Sequence, residues 1–258
     1  MRVRVLPVVV LATALLAGCA STVAGQPTAA PKAQFPSSSS AGATTNGRVG
    51  GKTGAQIITQ TFAAMTKATA FRAKASGVDD NGTRLAFDLH FGLNSAAGTI
   101  NESSFTIQVI VVPGAAYFKG DDAFWRNVIP AGAQAAALPK LQNKWVTGPM
   151  SNPDFGGIAN SFTRTSLIQS ITEGDPASAY SVIGTGTHSG VAVIRLKDGT
   201  DGSEVDVAAK GQPFPLFTNT PSTSSGGGGE IEFSGWNVPF TAHAPPKSQT
   251  FDASPYLH

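Results

Sequence analysis

Arg84-Leu85-Ala86-Phe87-Asp88-Leu89-His90-Phe91-Gly92-Leu93 is the stretch that decides the class of fold. Leu85, Phe87, Leu89, Phe91 and Leu93 recur at every second position, with Ala86, Asp88 and His90 between them. Side chains of a strand point alternately to its two faces, so this is a strand with one face buried and the other wet. Asp80-Asn81-Gly82 just before it is a hairpin turn signal, which makes residues 71–78 its antiparallel partner. One-sided strands joined by short turns build antiparallel meanders rather than β-α-β units.

Working downstream, residues 104–112 set Phe105, Ile107, Val109 and Val111 on one face. The other face, Thr106, Gln108, Ile110 and Val112, turns apolar toward its end. Short strands are expected at 115–120, at 124–127 and around Trp145. Longer ones follow at 180–186, 191–197, 203–209 and 214–220, with Asp198-Gly199-Thr200-Asp201-Gly202 as a turn and a last alternation at 230–233. Upstream, Ile57, Ile58, Phe62 and Met65 recur at helical spacing behind Thr53, an N-cap residue. Ile158, Phe162, Thr165, Leu167, Ile168 and Ile171 mark a second helix, and residues 131–141 suit a short third. A single sheet of that many strands must curl or close. The expectation is an α+β fold: a curled antiparallel half-barrel of about ten strands, wrapped over two or three helices and enclosing an apolar cavity.

The first residues address the chain. Arg2 and Arg4 precede an apolar run from Val5 to Ala17, too short to span a bilayer, which needs roughly 20 residues. Residues 1–18 therefore read as an export signal. Leu16-Ala17-Gly18-Cys19 resembles the lipobox of bacterial lipoproteins, and Cys19 is the only cysteine of the 258 residues. Acylation of its thiol accounts for an odd cysteine in an exported chain. Residues 19–51, rich in Ser, Ala, Thr, Gly and Pro, bury too little to order themselves and read as a flexible tether. Residues 52–246 form the folded domain and 247–258 a tail. Of the 18 basic residues two leave with the signal, which leaves 16 against 16 acidic. With no basic cluster, nucleic acid is excluded as a partner. The charged fraction, 13%, is about half the usual 25% and points to a large apolar interior or cavity.

Several segments together resemble the mycobacterial LppX, LprG, LprA and LprF lipoproteins. They are Tyr117-Phe118-Lys119-Gly120-Asp121 with Phe124-Trp125, Asn143-Lys144-Trp145-Val146, Val191 to Gly199, Gly211 to Leu216, Ile231 to Asn237, and Ala244-Pro245-Pro246. The likeness covers most of residues 52–246, through motifs that are structural and individually unspecific. It implies the fold of the LolA and LolB carriers, a curled sheet over helices around a hydrophobic cavity. It also implies binding of acyl chains of lipids or lipoglycans and their movement through the envelope. Thr220 to Gly229 is looser than a tight hairpin and reads either as a mobile loop at a cavity mouth or as an insertion.

No catalytic constellation is visible. His90, His188, His243 and His258 show no metal-pair spacing, and Ser189 lacks the Gly-x-Ser-x-Gly elbow. Asp79-Asp80 and Asp121-Asp122 are neighbours that point apart and favour turns, not carboxylates facing across a cleft. Gly226 to Gly229 precedes a strand, the wrong context for holding phosphate. No enzyme, metal or cofactor is expected. Trp125, Trp145 and Trp236 with Phe118 and Phe124 suit either a binding platform or packing.

The functional expectation is a lipoprotein anchored at the outer face of the cytoplasmic membrane through Cys19, which shields acyl chains. Val109, Val111, Phe118, Trp125, Phe162, Leu167 and Ile171 are the candidates to line the cavity, and periodicity does not separate lining from core. A donor or acceptor protein in the envelope is left unnamed. The alternative is a structural or protein-interaction lipoprotein with a filled core.

Overall fold

The computed structural model describes residues 47–79, 81–128, 131–151, 153–173, 176–222 and 227–253. The export signal, Cys19 and most of the tether lie outside them. Two short strands, β1 (Arg48–Val49) and β2 (Lys52–Thr53), lead into helix α1 (Gly54–Lys67). Thr53 starts that helix with a reciprocal cap. Its hydroxyl accepts from the Gln56 amide at 3.3 Å, and its own amide donates to the Gln56 side chain at 2.9 Å. Ile57, Ile58, Thr61, Ala64 and Met65 fall on one helical stripe and are buried.

Two meanders follow. The first is β3 (Phe71–Val78), β4 (Arg84–Phe91), β5 (Ala96–Glu102), β6 (Phe105–Val112), β7 (Ala115–Gly120) and, after two helices, β8 (Trp145–Thr147). Those helices are α2 (Asp122–Val128) and α3 (Ala131–Leu141); α4 (Pro153–Ser161) and α5 (Arg164–Thr172) come after β8. The second meander is β9 (Tyr180–His188), β10 (Val191–Asp198), β11 (Glu204–Ala208), β12 (Pro215–Thr220) and β13 (Gly228–Ser234). Pairing of β3 with β13 joins the meanders into one sheet. A last strand, β14 (Thr250–Asp252), adds to β8 in parallel, giving the order β14-β8-β7-β6-β5-β4-β3-β13-β12-β11-β10-β9.

Register assigns the two faces. Across the inner face run Phe233, Ala73, Leu89, Gly98, Val109, Phe118 and Val146, each opposite the next. One residue along every strand, the outer face reads Arg195, Asp206, Phe217, Glu232, Lys74, Asp88, Thr99, Gln108 and Lys119. The alternation at 84–91 is thus repeated across the whole sheet. Three hydrophobic clusters back it. The largest joins the inner face of β3–β7 and β13 to Met65, Ala159, Leu167 and Ile168. A second sets Ile57 and Ile58 of α1 against Val182, Leu196, Val205 and Val207. The third holds Trp125, Leu138, Leu141 and Val146 at the β8 edge.

The structure departs from the sequence reading in four places. Residues 124–127, expected as a strand, are helical. Asp121 accepts from the Phe124 amide at 2.8 Å and from the Thr106 amide at 2.7 Å, so it caps α2 and ties it to β6. The helix expected over 158–171 is two, α4 and α5, because Thr163 starts a new one by accepting from the Ser166 amide at 3.1 Å. Strand β5 was not expected; with β14 it brings the main sheet to twelve strands, and five helices accompany it among the described residues. Residues 250–252, placed in a tail, pair with β8.

The segment between β13 and β14 is fastened to the sheet on its way. The Asn237 side chain accepts from the Thr69 amide at 2.8 Å, the Phe240 ring lies 5.3 Å from His90, and the Ala242 amide donates to Ser95 Oγ at 3.1 Å. Further on, Lys144 Nζ donates to the Ser248 carbonyl at 2.8 Å.

Candidate functional site

Helix α1 crosses the seam between the first two hydrophobic clusters, since Ile58 belongs to one and Met65 to the other. At that seam a cleft of about 40 Å³ lies between α1, α5 and strands β11–β13. Its apolar wall is Ile58, Phe62, Met65, Ile171, Val205 and Ile231. The other side is polar. Asp201 accepts from the Ser203 amide and hydroxyl, both at 2.7 Å, and the Ser203 hydroxyl donates to Thr220 Oγ1 at 3.1 Å. An apolar pit with one polar rim suits a chain that has a hydrocarbon end and a polar end.

On the outer face is an open groove of about 640 Å³, formed where β3, β4, β12 and β13 reach the same end of the sheet. Ser76, Arg84, Asn101, Asn219, Ser222 and Glu230 are among its walls, and the Ser76 hydroxyl donates to Glu230 at 3.2 Å. Thr220 borders both spaces. The groove lies within the roughly 300–1,000 Å³ of ligand pockets; the cleft does not.

Ile171 alone of the sequence candidates borders the cleft. Val109 (0% exposed), Val111, Phe118 and Leu167 are interior members of the largest cluster, against which Phe162 packs, with its ring 6.5 Å from Phe118. Trp125 belongs to the separate cluster at the β8 edge. The other rings the sequence offered as a platform are dispersed too. Phe124 packs on Phe105 at 5.5 Å, while Trp236 stacks on Phe214 at 4.6 Å and donates to the Pro215 carbonyl at 2.9 Å. Sequence reasoning missed Ile58, Val205, Ile231 and Thr220 as cleft residues. Their burial was legible as periodicity, but their meeting depends on the β3–β13 pairing.

The polar residues set aside in sequence have structural work. Asp79 Oδ1 accepts from the Asn81 and Thr83 amides, at 2.9 and 2.8 Å, and so shapes the turn into β4. Asp88 binds Arg72 across the outer face through two hydrogen bonds, and that contact holds its carboxyl below its ordinary pKa. His188 stacks on Phe217 at 5.1 Å, between Asp206 at 3.7 Å and Glu232 at 3.9 Å. Burial raises the Asp206 pKa, against the pull of Arg195 and His188. Glu102, on the inner face, is raised by burial and then by Asp79. Among the described residues no three His, Cys, Asp or Glu side chains group as metal ligands.

No family model matches the sequence, and no curated protein matches it. Solved structures do. LppX of Mycobacterium tuberculosis is similar at 13% identity and a TM-score of 0.45, over 73% of this chain and 97% of that one. LprF of Mycobacterium bovis is similar at 11% identity and a TM-score of 0.46, over 74% and 96%. MucB of Pseudomonas aeruginosa, solved as a complex with MucA, is similar at 12% identity and a TM-score of 0.34, over 76% and 59%.

Proposed function

We propose that this chain is an envelope lipoprotein, acylated at Cys19 and held at the outer face of the cytoplasmic membrane, that binds acyl chains of lipids or lipoglycans and carries or presents them. The observation that supports this reading is the cleft between α1, α5 and β11–β13, with its apolar wall of Ile58, Phe62, Met65, Ile171, Val205 and Ile231 and its polar side at Asp201, Ser203 and Thr220. A hydrocarbon tail would lie along Ile58, Phe62 and Ile171, with its polar end at Asp201, Ser203 and Thr220. Each methylene kept from water contributes about 0.8 kcal/mol, so a long chain holds its place only if most of its length is covered. A cleft of about 40 Å³ covers too little of it. Binding thus requires α1 and α5 to part from β11–β13. That opening draws Ile57 and Ile58 away from Val205 and Val207, so the ligand must replace the packing of the second cluster. No bond to the ligand is made or broken, and no metal or cofactor takes part.

Uptake of a fluorescent C16 fatty acid by the mature chain carrying Cys19→Ser tests the reading. Saturable binding of one probe per chain, displaced by unlabelled fatty acid, is expected. Absence of uptake over the accessible probe range refutes it.

One observation favours a second reading, a protein-interaction lipoprotein. The largest cluster is filled, while Leu93 and Val238 are 60% and 62% exposed. Under that reading a partner protein covers them, and Leu93→Ser abolishes its capture while leaving probe uptake at zero.

A further inference from the structure

No Lys, Arg or His borders the cleft; its ionisable residues are Asp201 and Tyr180. Asp201 is held at the polar side by its own turn, since its Oδ1 accepts from the Ser203 amide at 2.7 Å. Its Oδ2 accepts from the Ser203 hydroxyl at 2.7 Å, and the same hydroxyl reaches Thr220 Oγ1 at 3.1 Å. A hydroxyl has one proton, so it satisfies one of these two acceptors at a time. An ionised carboxylate offers about four lone-pair sites, more than the Ser203 contacts use. Asp201 therefore has acceptor capacity to spare, and no basic side chain pairs with it among the described residues.

A second carboxylate stands behind it. Asp198 follows Leu196 on the inner face of β10, and its amide donates to the Ser203 carbonyl at 2.8 Å, so Asp198 and Ser203 are cross-strand neighbours. Asp198 is 0% exposed; its Oδ1 accepts from the Thr200 amide at 2.7 Å, and its Oδ2 has no hydrogen-bond partner among the described residues. Lys197 lies between these residues in sequence but on the outer face, opposite Glu204. Its Cε comes near Gly202, where an added Cβ would lie 3.9 Å away, yet its ammonium pairs with neither carboxylate. A buried acceptor without a donor is costly until something donates to it. An anion brought to the same place meets like charge where little water remains to screen it.

We infer that the cleft selects acyl ligands whose head donates hydrogen bonds and carries no negative charge, and that Asp201 is the residue that discriminates against a carboxylate head. The inference deepens the acyl-binding reading and rests on it. With its chain along Ile58, Phe62 and Ile171, such a ligand sets its head against Asp201, Ser203 and Thr220. The hydroxyls of a monoacylglycerol, or the N–H groups of a primary amide, donate to Asp201 there. An ionised fatty acid brings the same hydrocarbon with a head that only accepts, so its chain alone holds it and the charge opposes it.

Displacement of the fluorescent C16 fatty acid from the mature chain carrying Cys19→Ser tests this, with laurate, lauramide and monolaurin as unlabelled competitors at about pH 7.5. Laurate and lauramide share one chain and nearly one head size, and differ in charge and donors. Lauramide and monolaurin should displace the probe at concentrations at least tenfold lower than laurate. Asp201→Asn keeps an oxygen for the Ser203 amide and should bring laurate within threefold of lauramide; Asp201→Ser replaces it should that variant fail to fold. Equal competition by all three ligands with Asp201 in place, or a preference for laurate, overturns the inference. A tenfold preference that survives in a folded Asp201 variant overturns the role of Asp201. These outcomes leave acyl binding standing, whereas absence of probe uptake together with absence of binding by all three ligands sinks the acyl-binding reading itself.

Discussion

Ile58→Ala probes the cleft more sharply than any other single change. Ile58 is 1% exposed, sits on α1 inside the second cluster, and forms part of the cleft wall. Cutting it to Ala removes its outer carbons from close packing and leaves a hole that adjoins a void already present. Buried Ile→Ala changes cost about 2–5 kcal/mol, more where the site cannot collapse. Collapse is limited here. The Thr53–Gln56 cap fixes one end of α1, and Gly54 is in contact with β9. We expect about 3–4 kcal/mol, read by urea denaturation, and a Tm lower by about 10 °C at roughly 2–4 °C per kcal/mol for a domain of this size. The same substitution should strengthen uptake of the fluorescent fatty acid, because an enlarged dry hole lined by apolar groups takes up apolar ligands. Leu89→Ala is the control. It is equally buried in the largest cluster but does not border the cleft, so it should cost a similar amount with no gain in uptake. A loss below about 1 kcal/mol for Ile58→Ala, or an equal gain for Leu89→Ala, would refute the reasoning.

Three further outcomes are expected. Thr220→Trp should fill the polar side of the cleft and reduce probe uptake at least tenfold, read by fluorescence titration. Gly98→Val should fail to accumulate as folded protein on expression, judged by circular dichroism, because a Cβ there would lie 2.0 Å from the Asp88 carbonyl oxygen in the neighbouring strand. Asp88→Asn should cost under about 1 kcal/mol at pH 7, as both partners of the Arg72 contact are more than a third exposed and screened. Because Arg72 depresses the Asp88 pKa in the folded state, that contribution is present above the ordinary value of 3.8 and lost as pH falls through the lowered one. The two proteins should therefore converge in stability as pH falls below 3.8 in acid titrations.

The alternating strands were legible because their period records burial directly. Residues 84–91 and 105–112 are strands β4 and β6 almost to the residue, and Thr53 caps α1 as its spacing to Gln56 allows. Strand β5 was hidden for a physical reason. Ala96-Ala97-Gly98-Thr99-Ile100-Asn101-Glu102 is short of the branched and aromatic residues of strands, and small side chains are what its central place between β4 and β6 demands. Gly98 opposite both Leu89 and Val109 is a requirement of the neighbours, invisible in the segment itself. The turn into α2 was misread because Phe124-Trp125 look like strand residues, whereas the side chain of Asp121 decides the backbone there. Periodicity marked Val109, Val111 and Leu167 as buried and stopped there. Which buried residues border a void depends on how α1 meets β11–β13, a matter of contacts between Ile58, Val205 and Ile231 that are far apart in sequence.

Native mass spectrometry of the mature chain with Cys19→Ser, purified without detergent from a lipid-containing host, tests acyl binding most directly. We expect a population heavier by the mass of one acyl lipid, released on raising the collision energy and missing from Thr220→Trp. Only the bare polypeptide mass, in both proteins and after incubation with fatty acid, would contradict it.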